Sequence, residues 1–177
     1  MAVFLLAGCA TRAPVASDES VARSGQVGMR EISGAFAQAQ RMTLADNESF
    51  LVPLEDEANP SPAYPTALLA QQLPSQAVCV RVAIDEAGTV MSSTPAVQPP
   101  ECPALDAADT AFFDAVAHAV AQWHYEPGLR CVFPDAKTKE QTVGSCGGYR
   151  EIPQAVSLTY RFVFEQKDGR GSVRMSQ

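Results

Sequence analysis

The chain has 177 residues, room for one ordinary domain and a tail but too few for two full-sized domains. Apolar residues make up 46% and charged residues 19%, a balance that can bury a core and excludes a wholly disordered chain. Thirteen Lys and Arg against twenty Asp and Glu leave a formal charge of −7 with no basic run, which argues against a nucleic-acid partner.

Met1 to Gly8 is apolar and ends at Cys9. The run is far shorter than the roughly 20 residues that span a bilayer as a helix. It carries none of the Lys or Arg of a secretory n-region. Leu6-Ala7-Gly8-Cys9 resembles a bacterial lipobox. The resemblance implies that residues 1–8 are a lipoprotein signal, truncated at its start, and that the mature chain begins at a lipid-modified Cys9. Two or three acyl chains, at about 0.8 kcal/mol per buried CH₂, would make that a lasting membrane anchor. Ala10 follows where an acidic residue would favour the inner membrane, so the implied location is periplasmic, on the outer membrane.

With Cys9 set aside, Cys79, Cys102, Cys131 and Cys146 are an even set in an exported chain, and an oxidising compartment predicts disulfides. No C-x-x-C pair is present, and neither His118 nor His124 sits near a cysteine at ligand spacing. No metal site and no cofactor is therefore expected.

Residues 9–58 read as a linker, with Met29, Ile32, Phe36 and Met42 spaced for one face of a short helix. Phe50 to Pro65 carries four prolines and the acidic cluster Glu55-Asp56-Glu57, and reads as an extended connector. The ordered domain is assigned to residues 59–166 and a flexible tail to 167–177. Thr66 to Gln72 is predicted as a short helix with Pro65 at its start. Val78, Val80, Val82 and Ile84 alternate with Cys79, Arg81 and Ala83, the period of a strand buried on one face. Asp85-Glu86-Ala87-Gly88 is a turn, and Thr89-Val90-Met91 begins the return strand of a hairpin.

Asp106 is placed as the cap of the next helix, with Asp109 in its first turn. Phe112, Val116, Ala119, Val120 and Trp123 form its apolar stripe, and Pro127-Gly128 stops it. Leu129 to Ile152 reads as a long polar insertion bearing two cysteines. Val156, Leu158, Tyr160, Phe162 and Phe164 then alternate in a last strand. The fold class that follows is α+β: a three-stranded antiparallel sheet packed against two helices. Such a small core benefits from staples. Closing the Cys131–Cys146 loop is worth about 3 kcal/mol on the loop-closure model, which favours Cys131–Cys146 with Cys79–Cys102. Three pairings are open to four cysteines.

Several segments in this order resemble the TonB C-terminal domain of bacterial envelope proteins. They are Tyr64-Pro65, Val80 to Val90, Leu105-Asp106-Ala107-Ala108, Ala119 to Gly128, and the closing strand Val156 to Phe164. Together they cover residues 59–166. The resemblance implies the same α+β fold and a binding role by strand addition, in which an extended segment of an outer-membrane receptor pairs with a sheet edge. It makes the last strand the docking edge, through Val156, Ser157, Leu158, Thr159, Tyr160, Arg161 and Phe162. Outward residues such as Thr159 and Arg161 would supply the selectivity. The implied partner is an envelope protein, such as a TonB-dependent outer-membrane receptor, and pairing of two copies along the same edges is a further expectation. An acyl anchor in place of a transmembrane helix has no protein surface inside the bilayer, which weakens a role in energy transduction.

The rival reading is a structural envelope lipoprotein that contacts peptidoglycan or an assembly partner. An enzyme is not expected. No G-x-S-x-G, H-E-x-x-H or P-loop pattern occurs, and His118 and His124, six apart, do not share a helix face. Trp123 reads as a packing residue.

Overall fold

A computed structural model describes residues 26–31, 42–97 and 101–166, the first of these as main chain. The strands, in chain order, are β1 (Gln26–Glu31), β2 (Glu48–Leu51), β3 (Leu54–Glu55), β4 (Gln76–Ile84), β5 (Val90–Pro95), β6 (Tyr125–Glu126), β7 (Gly128–Val132), β8 (Arg150–Gln154) and β9 (Val156–Glu165). The helices are α1 (Thr110–Val120) and α2 (Ala136–Gln141), and 3-10 turns cover Thr66–Gln71 and Leu105–Ala107, both ahead of α1.

The main sheet has the order β1-β9-β4-β5, with every neighbouring pair antiparallel. Its centre, β9-β4-β5 backed by the 66–71 turn and α1, is the α+β arrangement that the alternation and the helical stripe predict. Val78, Val80, Val82 and Ile84 share one face of β4 and are almost fully buried. Packed with them are Leu68, Leu69, Phe112, Val116 and Val120, together with Tyr160, Phe162 and Phe164 of β9. The Phe112 ring lies 4.7 Å from Phe164 and 5.3 Å from Tyr64, and Trp123 stands edge-on to Tyr160 at 5.5 Å. Each such side chain contributes about 1.5–3 kcal/mol by leaving water.

The β4–β5 turn is organised by Asp85, whose Oδ1 accepts from the N–H groups of Ala87 and Thr89 at 2.9 and 2.8 Å. Gly88 has φ +83°, and a Cβ there would meet the Tyr125 carbonyl oxygen at 1.9 Å. The turn thus needs glycine both for its handedness and for room beside the chain after α1.

Four readings of the sequence are corrected. Asp109, rather than Asp106, caps α1, accepting from the Ala111 N–H at 2.9 Å. Extended backbone at Ala108 separates the 105–107 turn from the helix, so a cap at Asp106 cannot reach the first turn. Residues 129–152 are not a loose insertion but build a second sheet, of order β2-β7-β8. Leu129, Cys131 and Phe133 alternate, and Cys131 and Phe133 are buried with Cys146 against Leu51 and Leu129. The connector at 50–65 is extended but paired: β2 with β7, and β3 with β6. It is also pinned by the Trp123 Nε1–H, which donates to the Pro60 carbonyl at 2.8 Å. The ordered unit accordingly takes in β2 and β3, upstream of residue 59. Met29, finally, lies in a strand and not on a helix face. Ile32 and Phe36, like residues 1–8, Cys9 and the tail 167–177, lie outside the described residues.

Candidate functional site

Strand β9 is the longest in the molecule's described part, and its two flanks differ. One flank is covered by β4 over nine positions, from Ile84 opposite Val156 to Gln76 opposite Phe164. The β4 side supplies Val78, Val80, Val82 and Ile84, whose branched chains suit a pleated, buried surface. This flank belongs to the core.

The second flank is where the resemblance places the docking edge, and here the structure corrects the reading. The segment Gln26–Glu31 lies along it as β1, antiparallel, in a register that runs from Glu31 opposite Tyr160 to Gln26 opposite Glu165. β9 is therefore an interior strand, and β1 is the outer one. The register puts Val27 and Met29 opposite Phe164 and Phe162, positions on the buried face of β9. It puts Gly28 and Arg30 opposite Val163 and Arg161, positions on the other face.

The candidate residues divide accordingly. Val156, Ser157 and Leu158 precede the β1 register, with Ser157 exposed and the other two half-buried. Tyr160 and Phe162 are buried and paired across to β1. Thr159 is opposite Arg81 on the face of β9 away from α1, but it is covered there, at 3% exposure. Arg161 is half-buried, and its Nε–H donates to the Glu101 carbonyl at 3.1 Å. The chain around Glu101 is drawn over this face because the Cys79–Cys102 disulfide ties it to β4, with Ala96 packed beside the sulfurs.

The Tyr160 hydroxyl sits 3.0 Å from that of Tyr125. Burial, then hydrogen bonds to Glu55 and Tyr125, push its pKa well above the ordinary tyrosine range. The β9 face towards α1 is thus an apolar surface with the Tyr125 and Tyr160 hydroxyls meeting at one end.

The opposite margin of the sheet is a poorer dock. Among the described residues β5 pairs only with β4, but it ends at Pro95, which has no N–H to offer, and its register shifts between Ala83 and Ile84. Prolines and bulges of this kind blunt an edge against strand addition.

The cysteines pair as Cys79–Cys102 and Cys131–Cys146, with Cα separations of 5.6 and 5.1 Å, the pairing that loop closure favours. His118 is exposed on α1, and His124 serves through its main chain, its carbonyl accepting from the Asn59 side-chain amide at 2.9 Å. No group of three or more potential metal ligands occurs among the described residues. No helix among the described residues is long and apolar enough to cross a membrane.

Fold and site together define a small disulfide-stapled α+β domain whose last strand carries an outer strand, β1, on the flank opposite β4. No family model, curated protein or solved structure matches the chain. Sequence reasoning missed β1 and therefore the occupied flank. The only signal was the alternation of Val27 and Met29, which a helical spacing from Met29 to Ile32 and Phe36 obscures.

Proposed function

We propose that this protein is a lipid-anchored module of the bacterial periplasm that binds an extended segment of an envelope protein by strand addition along β9. The observation that carries this reading is the antiparallel seating of Gln26–Glu31 on the flank opposite β4. That flank accepts an extended chain whose alternate residues fall opposite Phe162 and Phe164, and main-chain pairing with alternate side-chain subsites is how strand addition works. The resemblance to the TonB C-terminal domain makes an outer-membrane receptor segment the first partner to try. The lipobox at Cys9 supplies the anchor. The role is binding rather than catalysis.

Photo-crosslinking tests it. A photoreactive residue replacing exposed Ser157 at the near end of the flank is compared with one replacing Met91 on β5, which is 68% exposed. With synthetic TonB-box peptides of outer-membrane receptors as the probe, crosslinks are expected from position 157 and not from 91. Equal labelling at both positions, or at neither, overturns the reading. The structural-lipoprotein alternative is favoured by the same β1 strand if that strand never leaves. It is tested by pull-down on purified peptidoglycan, where retention of the wild-type chain would support it.

A further inference from the structure

We infer that β1 is a resident strand in the docking flank of β9, and that a partner must displace it, so that self-pairing and partner pairing compete for one ladder. This competition rests on the strand-docking reading and adds the register and the regulation of that site.

Three observations support it. Among the described residues β1 is the outermost strand of its sheet and has β9 as its sole strand neighbour, whereas β4 is held on both sides. An outer strand can leave without breaking any other ladder. Second, its sequence is a weak strand former. Gln26-Val27-Gly28-Met29-Arg30-Glu31 has one β-branched residue and a glycine in its interior, which weakens a strand. Its register also sets Arg30 directly opposite Arg161, and like charges in facing positions destabilise a pair. Third, the β1 register begins at Tyr160, while β4 continues to Val156. An incoming antiparallel strand can begin at Val156, Ser157 and Leu158 before it reaches β1.

The consequence is quantitative. Because β1 is tethered to the domain, its effective concentration at the flank is high. A partner's apparent dissociation constant is the intrinsic one divided by the fraction of time the flank is open. Changes in β1 should therefore alter partner affinity without touching a residue of β9.

The test uses the full chain and a labelled synthetic peptide of residues 24–33 as the probe. Two adjacent prolines, Gly28→Pro with Met29→Pro, remove one N–H of each alternation, so one ladder donor is lost whichever way the strand is phased. Hydrogen exchange of residues 160–165 is expected to speed up at least tenfold in that variant, while residues 76–84 keep their protection and report an intact fold. The probe is expected to bind the variant at least tenfold more tightly than it binds the wild type. Arg30→Glu, which places an opposite charge facing Arg161, should act in the other direction, slowing exchange and weakening the probe several-fold. Unchanged exchange at 160–165 in the proline variant overturns the resident strand alone. Equal probe affinities for wild type and variant overturn the competition. Faster exchange with no probe binding overturns it together with the docking reading. A wild-type dimer that becomes monomeric in the proline variant would place β1 on a second copy and overturn self-occupancy.

Discussion

Between residues 150 and 165 the chain passes through β8 in the small sheet and then, across Ala155, through β9 in the main sheet. The two sheets share this stretch but are held by different means. Among the described residues the main sheet closes on fifteen buried ones, seven of them aromatic, supplied by β4, β9, α1 and the 66–71 turn among others. The β2-β7-β8 sheet closes on Cys131, Phe133 and Cys146, of which two are joined covalently. A region with few apolar residues to bury relies on lowering the entropy of its unfolded chain, and a region rich in them does not need to. The two flanks of β9 also differ, with β4 paired on both sides and β1 the outer strand of the sheet.

The largest effect is expected where the main core is cut. Phe112→Ala removes a fully buried ring that touches Tyr64 and Phe164, and should cost about 3–5 kcal/mol in denaturant unfolding. Both sheets should then melt together. If the small sheet outlasted the main one, the dependence of the staple on the core would be disproved.

Replacing Cys131 and Cys146 together by Ala opens a loop of sequence separation 15, and should cost about 3 kcal/mol. The loss should be local: hydrogen exchange should quicken across residues 128–154 and leave 76–84 protected. Uniform loss over both sheets would show that the staple serves the whole fold.

Gly88→Ala forces a Cβ against the Tyr125 carbonyl at a positive φ, and a cost of about 1–3 kcal/mol is expected from thermal unfolding. The strain falls where the hairpin meets the chain after α1, whose N–H at Tyr125 donates to the Gly88 carbonyl at 2.9 Å.

Tyr160→Phe should be the mildest change at neutral pH, about 0.5–1.5 kcal/mol for the lost hydrogen bonds. Its signature is in alkali. The Tyr160 pKa is raised in the folded chain, so the unfolded chain gives up the proton first. The contribution is fully present below the ordinary tyrosine value near 10 and is lost as pH rises beyond it. Wild-type stability should therefore fall more steeply above that pH than stability of the phenylalanine variant, as read by urea unfolding across an alkaline series.

Where one face alone decides burial, the sequence was legible. Val78 to Ile84 alternates cleanly because one side of β4 meets α1, and Phe112 to Val120 repeats at three and four because one side of α1 meets β4. Loop length favours the disulfide pairing that the structure shows. The small sheet was illegible for a physical reason. Its strands are short, Arg130 and Glu48 stand in it as an ion pair at 3.5 Å, and its core is largely cystine, so its hydrophobic period is faint. Its partners also lie far apart in sequence: Ser49 pairs with Cys131, and nothing local in either segment announces the other.

By itself the amino-acid sequence determined the hairpin, the amphipathic helix and the closing strand, because each depends on spacing within a single short segment. Tertiary structure alone decided which flank of β9 is filled and by what. Val27 and Met29 lie opposite Phe164 and Phe162, more than a hundred residues away in sequence, on the flank that β4 leaves open. That separation is why the residues of the candidate site could be named from the sequence while its occupied state could not.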